Sequence, residues 1–191
     1  MSTRDKLVEA AGELFYERGF QAVGLDQVLE RVGITKTAFY KHFDSKDALI
    51  VAVLEERDGR DVRELLAYVT QHGADPRARI LAMFDFLGDW FREPGFRGCL
   101  FLNASTEFPN PNDPINRAAT AHGTHMAAVV QGLLVQAGVR DPDALTRQLM
   151  LLVGGAIQSR HMRGDLEAAG VARDAATALL GVAAVGSAVS V

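Results

Sequence analysis

Two lysines, a threonine and a tyrosine lie close together in the segment 36–41, and their side chains suit recognition of nucleic acid. They are spaced at i, i+1, i+4 and i+5, so a helix would carry them on a single face. Ammonium groups pair with phosphates, and hydroxyl and phenol groups can bond base edges. We therefore interpret this face as one that reads DNA. Its residues are Lys36, Thr37, Tyr40 and Lys41.

A helix-turn-helix would position this face. Gly33 stands where a preceding helix can end in a left-handed residue, and Thr35 stands at the N-cap of the next helix. We predict that the second helix ends near Phe43 and enters the major groove. The apolar positions of the two helices form one inward-facing set: Val28, Leu29, Val32, Ile34, Ala38, Phe39 and Phe43.

Two segments carry a closer likeness, Arg18-Gly-Phe-Gln-Ala and Val32-Gly-Ile-Thr-Lys-Thr-Ala-Phe-Tyr-Lys-His-Phe-Asp-Ser-Lys-Asp-Ala-Leu49. The chain resembles bacterial regulators of the tetracycline-repressor (TetR/AcrR) family through these residues. It departs from the family pattern at Val23-Gly24, which replace a hydroxyl pair, and at Thr37, which replaces a frequent small residue.

The resemblance implies double-stranded operator DNA as a partner. Base edges and phosphates would be contacted by the face described above, and His42 and Lys46 would contact the DNA backbone. Lys46 also begins a long helix whose dipole favours phosphate. The first turn of the first helix carries residues that are either phosphate contacts or frayed surface residues, namely Thr3, Arg4 and Lys6. The expected DNA-binding residues are Thr35, Lys36, Thr37, Tyr40, Lys41, His42 and Lys46.

Start and stop signals divide the remaining chain into helices. Aspartate followed by proline opens three of them, at Asp75, Asp113 and Asp141, and Gly170 precedes the last. No strand pattern is present, so we predict an all-α fold of about nine helices. A helix-turn-helix DNA-binding domain would span residues 1–46, and a helical ligand-binding and dimerisation domain would span residues 47–191. The long fourth helix would link the two mechanically.

A ligand cavity among the later helices is implied by the resemblance. Its candidate lining is mostly apolar and aromatic, which suits a small, largely apolar effector. Taken singly, each candidate is of a type that is more often an ordinary core residue than a ligand contact. The candidates are Phe86, Trp90, Phe101, Asn103, Phe108, His122 and Met126.

The last two helices are rich in small and apolar residues, as in the segments 149–156 and 175–185. The resemblance implies that they pair with a second copy as a four-helix bundle, giving a homodimer with two reading helices. The alternative is that they close the core of one chain. The uncharged segment 175–191 favours a buried helix over a membrane anchor, because its 17 residues barely reach the ~17–25 of a membrane helix.

The composition fits a DNA reader in the cytoplasm. The net charge of −4 and the pI near 5.7 give no general attraction to nucleic acid, so binding would depend on a local basic surface. Cys99 is the single cysteine, which excludes an intramolecular disulfide and fits a reducing compartment. The charged first residues are not typical of a signal peptide.

Catalytic signatures are absent from the sequence. His122 and His125 are spaced at i, i+3, and His161 could approach them, but a metal site needs more ligands than this pattern supplies. Cys99 follows Arg97-Gly98 and could be either a redox sensor or a small buried residue. We expect no metal, no cofactor and no catalytic residues. The sequence favours a ligand-responsive homodimeric repressor of a palindromic operator, and the alternative is a helical metal- or ligand-dependent enzyme.

Overall fold

A computed structural model describes the backbone of residues 1–185 and the side chains of residues 1–183. Within these residues the regular structure is entirely α-helical, which confirms the predicted fold class. Contacts divide the chain into two compact units, one formed by residues 1–60 and 99–123 and the other by residues 61–98 and the chain from 124 onwards. The helices are α1 (Thr3–Arg18), α2 (Leu25–Val32), α3 (Lys36–Phe39), α4 (Lys46–His72), α5 (Pro76–Arg92), α6 (Leu100–Glu107), α7 (Pro114–Gln136), α8 (Pro142–Arg163) and α9 (Ala168–Val185).

The first unit is built around an aromatic core. It contains α1 to α3, α6 and the first parts of α4 and α7. The rings of Phe15 and Phe20 lie 5.2 Å apart, and those of Phe39 and Phe43 are stacked at 5.8 Å. All four side chains are buried, so the helix-turn-helix rests on a continuous apolar base.

Helix α1 begins with a capping box. The N–H of Asp5 donates to the Ser2 hydroxyl, and the N–H of Ser2 donates to the Asp5 carboxylate at 2.9 Å. The hydrogen bonds from Ser2 lower the pKa of Asp5. The first turn of α1 is therefore ordered by its own sequence, and the adjacent Arg4 does not stand on a frayed end.

The turn between α2 and α3 has the predicted chemistry. Gly33 adopts φ 75° and ψ 38°, the left-handed conformation that costs glycine little. The Thr35 hydroxyl accepts the N–H of Ala38, which confirms Thr35 as the N-cap of α3. Val32 and Ile34 pack as partly buried residues against the core.

The prediction that this second helix continues to Phe43 is wrong. Regular α-helix ends at Phe39, and the chain then tightens, because Lys41 and His42 donate to carbonyls three residues back. The N–H of Phe43 still bonds the carbonyl of Phe39 at 3.1 Å. The tighter turn brings the rings of Phe39 and Phe43 into the same core.

The second unit packs α9 against α5 and α8. The inner face of α9 carries four alanines and Leu180, and the Cβ of Ala169 would lie 3.7 Å from a Cβ on Gly88 of α5. Small residues on both helices allow this close approach. The Arg173 guanidinium also pairs with Asp85 at 2.9 Å. The buried alanines of α9 are Ala168, Ala169, Ala172 and Ala176.

Each of the three aspartate–proline signals opens a helix as predicted. Carboxylates of the three aspartates accept the N–H groups of Ala78, Ile115 and Ala144. The proline that follows each aspartate is the first residue of α5, α7 or α8.

The predicted start of α9 after Gly170 is wrong, because Gly170 lies inside the helix. Gly164 ends α8, and the Asp165 carboxylate then accepts the N–H of Glu167, so the turn and the new helix begin earlier. Helix α6 likewise begins at Leu100 rather than Gly98. The final residues of the uncharged segment 175–191 lie outside the described residues.

No helix among the described residues combines the length and the apolar content needed to span a bilayer. The domain boundary at residue 46 stays a prediction. The two compact units are divided by their contacts after residues 60, 98 and 123.

Candidate nucleic-acid interface

The predicted reading face is exposed and firmly supported from behind. Phe39 is completely buried under α3, and Tyr40 packs edge-on against its ring with the ring centroids 5.3 Å apart. Tyr40 itself remains 51% exposed, although a large aromatic side chain usually gains from burial. The fold thus holds a phenol at the surface on a rigid base. The rest of this face is also exposed, namely Lys36, Thr37 and Lys41, and so are the adjacent Thr35 and His42.

The arrangement can serve both phosphates and bases. Lys36 and Lys41 supply six N–H donors between them, counting three per ammonium. The hydroxyls of Thr37 and Tyr40 can donate and accept, which base edges in the major groove require. All four lysines of the chain lie within its first 46 residues, so the lysine charge is concentrated in this part of the molecule.

Lys46 is less exposed than the sequence suggested. Its ammonium donates to the carbonyl of Phe20 at 2.6 Å and lies 5.9 Å from the ring centroid of Phe15. One of its three N–H groups is therefore used inside the unit, and the others can still face a phosphate. The Ser45 hydroxyl caps α4 by accepting the N–H of Ala48. A backbone contact by Lys46 stays a prediction.

Arg4 gains a definite place beside the reading segment. Its guanidinium carbon lies 5.2 Å from the ring centroid of Phe43, within the range of a cation–π contact. The capping box orders the turn that carries Arg4, and the side chain is exposed. A phosphate contact by Arg4 stays a prediction.

Four of the predicted ligand-contact residues lie in the first unit. The rings of Phe101 and His122 are parallel, with centroids 3.7 Å apart, and His122 Nδ1 lies 2.8 Å from an oxygen of Asp58. Phe108 packs edge-on against Phe20. Asn103 is half-buried on α6.

Sequence reasoning did not identify Asp58 as a partner of His122. The signal was present in the spacing, because Asp58 follows the buried Leu54 by four residues on the same helix. A carboxylate at such a position can hold an imidazole in one tautomer by accepting from its Nδ1.

The other three predicted ligand-contact residues lie in the second unit. Phe86 packs on Tyr68, with ring centroids 5.2 Å apart, and Trp90 packs edge-on against Phe96 at 4.9 Å. Met126 is half-buried on α7. A single site that combines all seven residues stays a prediction.

Tyr68 has its own polar partner in the second unit. Its hydroxyl donates to Asp89 at 2.7 Å, and its ring is stacked on His72. Burial and the adjacent Asp89 carboxylate raise the pKa of Tyr68 to about 12. The phenol therefore stays protonated across the physiological range.

Two surface grooves contain none of the seven predicted ligand residues. One, of about 240 Å³, lies between α1 and α2, and its lining includes Lys6, Glu13 and Arg31. The other, of about 170 Å³, lies between α5 and the start of α9 and carries Asp85 and Asp89. Both are polar and open, unlike the enclosed apolar cavities that usually hold small ligands.

Metal-binding chemistry finds no support in the described part of the chain. No three histidine, cysteine, aspartate or glutamate side chains there come close enough to share an ion. His161 lies against Gly98, at the end of the α5–α6 loop. Cys99 occupies the N-cap position of α6 and is half-buried.

Family models match most of the chain. Residues 7–53 match the family described as bacterial regulatory proteins, tetR family, and residues 76–176 match the tetracyclin repressor-like C-terminal domain. The first match covers the reading face and the core beneath it. The second covers more than half of the chain.

Similar individual proteins are also named as transcriptional regulators. The crystal structure of SCO4454, a TetR-family transcriptional regulator from Streptomyces coelicolor, is 32% identical, covers 95% of each chain and superposes with a TM-score of 0.85. The transcriptional activator FasR of Mycolicibacterium smegmatis is 38% identical over 87 residues, 44% of this chain and 40% of FasR. The transcriptional repressor NemR of Escherichia coli is 32% identical over 106 residues, 55% of this chain and 53% of NemR. The chain thus matches about half the length of these curated relatives or less. None of the three is named as an enzyme.

Proposed function

The chain belongs to the tetracycline-repressor family of bacterial regulatory proteins, and from that premise we propose that it is a ligand-responsive, homodimeric repressor of a palindromic operator. It acts in the cytoplasm. A small, largely apolar effector releases it from DNA. FasR is named as an activator and NemR as a repressor, so the relatives of this chain include both directions of control.

The exposed reading face carries the proposal. Tyr40, Lys36 and Lys41 point away from a core in which Phe39 and Phe43 are buried, so the polar groups are held ready for a partner. The relevant contacts are with base edges and phosphates in the major groove. Each good base contact is worth roughly 1–3 kcal/mol of discrimination against the wrong base.

Apolar residues on the outer faces of α8 and α9 support the homodimer. Leu151 and Met162 on α8 are 76% and 71% exposed, and Val182 on α9 is 75% exposed. Leu151, Gly155 and Met162 follow a helical stripe at i, i+4 and i+11. Pairing this stripe with a second copy removes it from water, and a two-fold axis presents two reading faces to successive major grooves.

The effector acts by favouring one of two states. A ligand that binds preferentially when the reading faces are wrongly spaced shifts the population away from DNA. Near-complete release requires about 5.5 kcal/mol of differential affinity. Phe101 and His122 form a stacked pair beside Asp58, and we expect the effector to contact the half-buried His122, whose flat ring suits an aromatic molecule with one polar group.

Fluorescence anisotropy with the purified full-length chain tests the proposal. The probes are palindromic duplexes from DNA adjacent to its own gene and a scrambled duplex of equal length. We expect sequence-selective, salt-sensitive binding that Tyr40→Ala reduces. Arg140→Ala, an exposed control in the second unit, should not reduce it. Equal affinity for the two duplexes would contradict the proposal.

A further inference from the structure

In the turn between α1 and α2, the peptide group that joins Phe20 to Gln21 is hydrogen-bonded both through its N–H and through its carbonyl. The N–H groups of Phe20 and Gln21 donate to the two carboxylate oxygens of Glu107, at 3.0 and 2.8 Å. The Gln21 amide donates back to the carbonyl of Glu107 at 2.9 Å. The last residue of α6 thus makes three hydrogen bonds to a turn 86 residues earlier in the chain.

The local sequence is adapted to this contact. Gly19 has φ 87°, which L side chains rarely adopt, and a Cβ there would lie 3.1 Å from Glu107 Oε1. The carboxylate therefore approaches the turn at a place that glycine leaves open. From the other side, the Lys46 ammonium donates to the carbonyl of Phe20. The first residue of α4 and the last residue of α6 meet at a single turn.

The negative charge of Glu107 at the C-terminus of α6 would destabilise this helix if the helix were isolated. A carboxylate at the C-terminus of a helix lies at the negative end of the helix dipole, where it is disfavoured. A carboxylate that accepts two backbone N–H groups forms charge-assisted bonds, which are roughly twice as strong as neutral ones. The contact with the turn offsets this cost and so stabilises the C-terminal end of α6.

We propose that Glu107 is a positioning residue that couples the end of α6 to the reading face. The inference rests on the proposed DNA-binding function. Helix α2 begins at Leu25, soon after the clamped turn, and α3 follows on the same apolar core. A change in α6 therefore reaches the reading face through Glu107, and DNA bound at α3 strengthens the Glu107 contact by the same factor, because coupling between sites is reciprocal.

Hydrogen exchange of the full-length protein, with and without an operator duplex selected for binding, tests the coupling. In the wild type, DNA slows exchange in residues 36–43 and also in residues 104–108, the latter by about fivefold or more, the low end of allosteric coupling. Glu107→Ala keeps the protection at residues 36–43, loses it at 104–108, and lowers operator affinity by the same factor. The matched control is Glu13→Ala, which removes a surface carboxylate paired with Arg31 in the same unit. It changes neither readout.

Three outcomes separate the possibilities. Wild-type protein that is protected at residues 36–43 but not at 104–108 overturns the coupling and leaves the proposed function intact. Protection at 104–108 that persists in Glu107→Ala overturns it as well. Absence of protection at residues 36–43 in the wild type overturns the proposed function together with the coupling. If Glu107→Ala does not fold, Gln21→Ala removes only the bond to the Glu107 carbonyl, and we expect a partial loss of protection at 104–108; full protection there contradicts the coupling.

Discussion

Lys41→Ala should reduce the salt dependence of operator binding by a calculable amount. Lys41 is exposed in the tight turn that follows α3, and we expect its ammonium to contact a phosphate. Each neutralised phosphate contributes about 0.9 to the slope of log K against log salt. A dimer carries two copies, so the variant should lose about 1.8 from the slope.

The size of the effect follows directly. Between 50 and 200 mM salt, about 0.6 of a decade, a slope of about 1.8 corresponds to roughly a twelvefold change in affinity. The wild type should therefore weaken about twelvefold more than Lys41→Ala over this range. Because a phosphate contact carries no sequence information, the variant should lose affinity equally for operator and scrambled duplexes.

Fluorescence anisotropy titrations at several salt concentrations measure both quantities. Arg140→Ala is the control, since Arg140 is an exposed cation in the second unit and lies outside the reading segment. An unchanged slope in Lys41→Ala would refute the phosphate assignment. A loss confined to the operator duplex would also refute it, because selective loss indicates base contact.

Three further predictions concern stability, titration and assembly. Phe39→Ala should destabilise the first unit by about 3–5 kcal/mol in denaturant unfolding, because the ring is fully buried beneath α3. Tyr68 should titrate near pH 12 rather than 10.0, measured as the difference in tyrosinate absorbance between wild type and Tyr68→Phe. The stability that its bond to Asp89 provides is present below pH 10.0 and is lost as the pH rises through the raised pKa. Leu151→Glu combined with Val182→Glu should convert the homodimer to a monomer in sedimentation velocity, since both side chains lie on the exposed apolar faces.

Matched variants make these predictions refutable. Thr37→Ala, exposed on the same short helix as Phe39, should change stability by less than about 0.5 kcal/mol. Comparable losses from both variants would contradict the buried role of Phe39. Asp89→Asn should bring the tyrosinate midpoint back towards 10.0, and no change would exclude Asp89 as a cause. Val135→Glu, an exposed apolar position on α7, should leave the dimer intact.

Sequence reasoning succeeded where the determining chemistry is local. Gly33, Thr35 and the three aspartate–proline pairs act within a few residues, so their roles follow from residue type and order. The fold class follows from these signals and from helical periodicity. Errors arose where a nearby residue competed, as when Asp165 opened the turn before α9 ahead of Gly170.

The long-range contacts of the site could not be predicted from the sequence. The bonds from Phe20 and Gln21 to Glu107 and the pair of His122 with Asp58 join residues more than sixty positions apart. Lys46 shows the consequence for function, because its ammonium is partly used by the Phe20 carbonyl. A cation can bind DNA only with the N–H groups that partners within the protein leave unused. Sequence spacing does not identify these partners when they lie far apart in the chain.

Selection of bound duplexes from a random DNA pool by the full-length protein tests the central claim most directly. Two copies of the reading face on a two-fold axis predict an enriched palindrome whose half-sites are separated by about 10–10.5 base pairs or a multiple of that spacing. Lys36→Ala with Tyr40→Ala should abolish the enrichment. A pool that stays unenriched, or that yields a single asymmetric site, would contradict the account.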